Sequence, residues 1–205
     1  RELIRIEQRD ECHVLGAAIS GVAMKIDCVA APLFGIPSAS ASKRDSAASF
    51  SSVALPGVPD GGMLAPIHAG NQNNCGGGNV SPALQWRNAP VGTRSFAVTI
   101  FDPDGAKGLG VVHWIVYSIP SSTTSLTAGG EPPAGAHMGL NVGGQAAYRG
   151  PCPPVGELPH HYVVQIYALD LAPDALAAGL TRDALHAAIR NHVLANTSMV
   201  MRFGR

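Results

Sequence analysis

Three apolar runs constrain this chain most: Ser95 to Asp102, Val111 to Ile119 and His160 to Leu169. Each is rich in β-branched and aromatic residues and is bounded by loops containing glycine or proline, which is the make-up of strands rather than helices. A shorter run, Ala83 to Trp86, reads the same way. The 24 glycines and 16 prolines sit between such runs, a spacing that joins short strands by turns and argues against a helical bundle. A mainly β architecture is expected. One helix is expected from Arg182 to Ala195, where Leu185, Ile189, His192 and Val193 recur at three- and four-residue spacing behind Thr181 as a cap. On that reading His192 lies on the helix's apolar face as a structural residue, and Ser198 to Phe203 forms a final strand.

With 205 residues, 46% of them hydrophobic and 14% charged, the chain can build one domain with a sizeable core. Fourteen basic residues balance fourteen acidic ones, so the overall charge carries no footprint for nucleic acid. No uninterrupted stretch of about 18 apolar residues suggests a transmembrane helix. Residues 1–49 read as a leader or linker, and 50–205 as the domain. Val14 to Met24 is apolar and follows Arg1, Arg5 and Arg9, yet Lys25 and Asp27 interrupt it. An export signal, which would send the domain to the periplasm or outside, and an unstructured start both stay open. The Ser/Ala-rich stretch Ser38 to Ser52 reads as the linker. Cys12 and Cys28 lie in the leader. Cys75 and Cys152 lie in loops of the body, where they are either a disulfide in an exported chain or two unrelated thiols. No CxxC spacing favours metal ligation.

Residues two apart on a strand share a face. In the first run Asp102 shares the face of Phe96, Val98 and Ile100; in the second, His113 shares that of Ile115, Tyr117 and Ile119; in the third, His160 and Tyr162 share that of Val164 and Ile166. His161 points the other way. Three strands therefore each bring an ionisable group to an apolar face near a strand end, where it needs a partner or a ligand. Pro103 and the prolines 151, 153 and 154 stiffen the adjoining loops.

The segments Asn79 to Trp86 (NVSPALQW), Asp102 to Gly105 (DPDG), His113-Trp114, Tyr148 to Pro154 (YRGPCPP) and His160 to Tyr162 (HHY) together resemble the phosphatidylethanolamine-binding protein family, and best its bacterial Raf kinase inhibitor-like branch. The likeness covers residues 50–205. It implies a β-sandwich with a few peripheral helices, one of them C-terminal, and a small surface pocket for phosphate, acetate or a phospholipid headgroup. Carried over by motif position, the ligand-binding residues are Asp102, His113, Tyr148, Gly150, Pro153, His160 and Tyr162. The chain departs from the family at Ala106 in place of DPDAP, at Val111 and Val112 where tryptophans are frequent, at His161 for an arginine, and at Asn191 for a glycine.

The expected function is binding of a small anion without catalysis and without a cofactor. His113 and His160 would donate to anion oxygens, Tyr162 would add its hydroxyl, and N–H groups near Gly150 would complete the cradle. Asp102 would repel a phosphate, so its expected role is to orient one histidine and raise its pKa. Two other readings are a metal-dependent hydrolase using the two histidines and Asp102 around zinc, and an interaction module whose pocket loops grip a protein partner such as a kinase or protease. No GxSxG elbow supports a serine hydrolase.

Overall fold

The three long runs lie side by side at the centre of one sheet. The computed structural model describes Phe50 and residues 55–205; the expected leader, its apolar run Val14 to Met24, Cys12, Cys28 and, apart from Phe50, the linker Ser38 to Ser52 lie outside the described residues. Eight strands form two sheets among the described residues: β1 (Gly62–Met63), β2 (Leu84–Gln85), β3 (Ser95–Asp102), β4 (Val111–Pro120), β5 (Ser125–Leu126), β6 (His137–Met138), β7 (His160–Leu169) and β8 (Val193–Phe203). The larger sheet has the order β1-β8-β7-β3-β4-β6, and β2 pairs with β5 as a small ribbon. The fold is mainly β, with few helices, and the strand readings at Ser95 and His160 hold at both ends.

Both faces of the large sheet are buried. On one, Phe96, Val98, Ile100, Val164 and Ile166 pack against Leu84, Trp86 and Leu126 from the ribbon side. On the other, Ala97, Ile115, Tyr117 and Leu169 meet Leu185 and Ile189 of helix α1 (Arg182–Ile189). Each fully buried large aliphatic or aromatic chain contributes about 1.5–3 kcal/mol through the apolar area it removes from water.

Strand β4 departs from simple alternation. Its pairing with β3 runs Phe96↔Ile119 and then Val98↔Val116, and again Ile100↔Trp114 and then Phe101↔Val112, so β4 holds one extra residue in each step. The first extra residue coincides with Ser118, whose φ is +59°; the second is His113. A bulge turns consecutive side chains to one side of the sheet. Ile115 and Tyr117 accordingly pack toward α1, whereas Trp114 and Ile119 pack on the opposite face. The expectation that His113 shares a face with Ile115 and Tyr117 is thus corrected: the bulge re-aims it to the side of Trp114 and Tyr162.

Helix α1 begins as expected, with Thr181 Oγ1 accepting from Ala184 N at 3.2 Å. It ends at Ile189 rather than Ala195, because β8 starts at Val193 and pairs with β7 from Leu169↔Val193 to His160↔Phe203. Val193, Asn196 and Thr197 are poor helix formers, and the ladder bonds of β7 claim them. His192 therefore lies beyond the helix; its exposed ring Nδ1 sits 2.8 Å from Asp170 Oδ1. No described helix is long and apolar enough to cross a membrane.

Candidate functional site

Neighbouring ends of β3, β4 and β7 open onto one cavity of about 310 Å3. Asp102, His113, Gly150, Pro153, His160 and Tyr162 all line it. Tyr148 does not; it lines a smaller cavity across the Arg149–Cys152 segment, and its hydroxyl donates to His68 O at 2.8 Å. Burial raises the Tyr148 pKa, which keeps that hydroxyl a donor.

Asp102 is the hub. Its Oδ1 accepts from the N–H groups of Asp104 at 2.8 Å and Gly105 at 3.0 Å, an Asx-type turn that folds the next loop over the carboxylate. Gly105 is needed there, since a Cβ would meet Val111 Cγ2 at 2.6 Å and Asp102 Oδ2 at 3.0 Å. Asp102 Oδ2 lies 2.9 Å from His160 Nδ1 and 3.9 Å from His113 Nε2. Burial pushes the Asp102 pKa up, but His113, the hydrogen bond and charge of His160, and the Gly105 N–H outweigh it and hold it below the ordinary carboxylate value.

His160 is tied on both ring nitrogens, with Nε2 3.3 Å from Glu157 Oε2. Two carboxylates can both accept only if both nitrogens carry protons, so this geometry suits the imidazolium. Burial opposes that charge, yet the hydrogen bonds to Asp102 and Glu157 prevail and raise the His160 pKa. His113 Nδ1 donates to Arg149 O at 2.6 Å, which leaves Nε2 as the ring atom on the Asp102 side. Tyr162 stacks edge-on to His113 with ring centroids 5.1 Å apart. Burial and then the Asp102 charge raise its pKa, so its hydroxyl stays protonated. Tyr162 Oη and His113 Nε2 are buried and have no hydrogen-bond partner among the described residues.

The loop wall differs in one respect from the expected cradle. Gly150 N donates to Asn79 Oδ1 at 2.8 Å and is not free for an anion. Gly150 acts instead through its size, because a Cβ would strike the backbone of His68 and Gly70. Cys75 and Cys152 form a disulfide with Cα atoms 5.2 Å apart, and Gly70 N donates to Pro151 O at 2.9 Å. These contacts pin the proline wall.

Two residues of the site escaped the sequence reading. Arg149 lines the cavity and is its one permanent cation among the described residues; it stands inside the YRGPCPP segment, where a lone basic residue was the available signal. Glu157 had no signal, because only the loop's path brings its carboxylate to His160. Among the described residues no group of three or more His, Cys, Asp or Glu side chains is arranged to hold a metal ion.

A family model described as phosphatidylethanolamine-binding protein matches residues 56–204. The chain is 42% identical over 118 residues to the UPF0098 protein YbcL of Escherichia coli K12, across 55% of this chain and 64% of YbcL. It is 44% identical over 120 residues to the putative lipoprotein LppC of Mycobacterium tuberculosis H37Rv, across 58% of this chain and 56% of LppC. The matched segment thus spans less than two thirds of either relative. The crystal structure of E. coli YbcL, described as a new member of the mammalian PEBP family, superposes with a TM-score of 0.69 at 32% identity, covering 75% of this chain and 98% of that one.

Proposed function

Since the chain belongs to the phosphatidylethanolamine-binding protein family, we propose that its cavity takes a small anion or the phosphate of a phospholipid-type headgroup and holds it without reacting it. The observation that carries this reading is the buried, unpartnered hydroxyl of Tyr162, on a cavity that Arg149 also lines. Burying such a group without a partner is costly, and a ligand oxygen that accepts from Tyr162 removes part of that cost. Arg149 supplies charge and a planar donor fork suited to phosphate or carboxylate. Asp102 takes no part in contacting the anion; it orients His160 and favours its charged form. Half-exposed Val142 on the same wall offers apolar ground for the chain attached to a headgroup.

Holding without reaction is consistent with His160, whose two ring nitrogens both face carboxylates, so that neither is free to act as a general base. Calorimetry with sulfate, whose charge is constant across the range, tests the reading. Affinity should weaken as pH rises through the elevated His160 pKa, because the cavity then loses a positive charge. Tyr162→Phe should weaken binding about tenfold, the worth of one hydrogen bond to a charged group. Affinity that ignores both pH and the lost hydroxyl would remove the site from this cavity. O-phosphoethanolamine should compete with sulfate and be recovered unchanged after prolonged incubation.

A further inference from the structure

His160 is shared between the cavity and an adjoining recess lined by Asp104, Glu157, Leu158, Pro159 and His161. Its Nδ1 is committed to Asp102 at 2.9 Å, in a pair whose side chains are 11% and 4% exposed. The other nitrogen, Nε2, faces a carboxylate of different character. Glu157 lies 3.3 Å away, its side chain is 56% exposed, and it is carried on the turn after Pro153 and Pro154.

We propose that Glu157 is a tethered competitor for the anion: it occupies the one His160 N–H that Asp102 leaves available, and an incoming anion must displace it to be bound by His160. This rests on the anion-binding reading above. The competitor is always present because the chain holds it three residues from His160, so its effective concentration is high whatever the solution contains. Its hold is nonetheless modest, since a half-exposed ion pair in water-screened surroundings gains little. A free monocarboxylate brings the same chemistry as Glu157 without the tether, and it loses the contest. A phosphoryl group brings an additional oxygen, a further acceptor for the donors of Arg149 and Tyr162, which line the same cavity as His160. Either anion meets the same competitor at the same N–H, so the tether lowers both affinities by one factor. The other titratable or charged groups around His160 are Asp102, Asp104, His113 and Tyr162, and none of them takes its Nε2 proton.

The test is calorimetry of the full chain with inorganic phosphate and with acetate at about pH 5.5, a unit below the ordinary histidine value, so that His160 is charged throughout. Glu157→Ala should bind phosphate up to roughly fivefold more tightly than the parent, the upper end of what a partly exposed ion pair contributes. Acetate should gain by a similar factor, because it displaces the same side chain. Glu157→Gln should fall between, because its amide oxygen still accepts from Nε2 without the charge. Phosphate affinity in Glu157→Ala that equals or falls below the parent's would overturn the proposal while leaving the anion site intact. Absence of phosphate binding in parent and variants alike would overturn the anion reading itself.

Discussion

Ala106 and Lys107 sit back to back in the left-handed region, at φ of +52° and +59°, in the turn that folds over Asp102. An L-residue there costs about 1–2 kcal/mol through the approach of its Cβ to the backbone, and the Asx contacts of Asp102 with Asp104 N and Gly105 N hold the turn against that cost. Ala106→Gly should therefore stabilise the protein by about 0.5 kcal/mol, the relieved strain less the greater chain entropy of unfolded glycine. Urea denaturation should show the midpoint rise with an unchanged slope. Ala106→Val should move it in the opposite direction, since a β-branched chain is least tolerated at positive φ. A glycine variant less stable than its parent would mean that the Ala106 methyl packs usefully on the cavity wall. The same carboxylate that organises this turn also decides the charge of His160, so backbone strain and site electrostatics share one residue.

At the scale of elements, the loops do as much as the strands to shape the cavity. The Cys75–Cys152 disulfide spans 77 residues of sequence and ties the turn after Gly70 to the Pro151–Pro154 wall. Closing so long a loop in the unfolded chain is worth about 4.5 kcal/mol in the chain-entropy account. The Cys75→Ala/Cys152→Ala double variant should lose that much in chemical denaturation, and sulfate affinity should fall with it as the wall loosens; a stability loss with unaltered affinity would separate clamp from site. Much of the framework was legible because two of the three long strands keep strict alternation. Asp102, His160 and Tyr162 could be placed on one side, and His161 excluded, by parity alone. His113 could not, since the bulge at that position follows from pairing with β3 and not from the local pattern. The end of α1 was misread for a related reason: Leu185 and Ile189 are buried, but the apparent continuation at His192 and Val193 belongs to a turn and to β8, where only the ladder with β7 defines the structure. Arg149 and Glu157 lie in loops, which have no period from which a facing direction can be read.

For the described domain as a whole, the buried pair at the site puts a signature on stability against pH. Asp102 has a folded pKa below its unfolded value, so its contribution is present above about pH 3.9 and is lost as pH falls through the lower folded value. His160 has a folded pKa above its unfolded value, so its contribution is complete below about pH 6.5 and is lost as pH rises through the higher folded value. The two titrate as a coupled pair, and together they favour the folded state most between those limits. His186 runs the other way: burial, then the neighbouring charge of Arg182, lowers its pKa, so folding loses its contribution as pH falls through the unfolded histidine value. A bare stability curve mixes these opposing trends. The difference between the parent and Asp102→Asn isolates the pair, because His186 hydrogen-bonds Tyr167 and lies outside the Asp102 network, so its contribution cancels. Removing one charge of a buried pair should cost about 3 kcal/mol in the window from roughly pH 4 to 6.5. The deficit should shrink on the acid side as the parent's Asp102 is neutralised, and on the alkaline side as its His160 loses its proton. Denaturant titrations from about pH 3 to 9 check this, and a deficit that stays constant across the range would show that Asp102 acts through its backbone turn alone, with no electrostatic hold on His160.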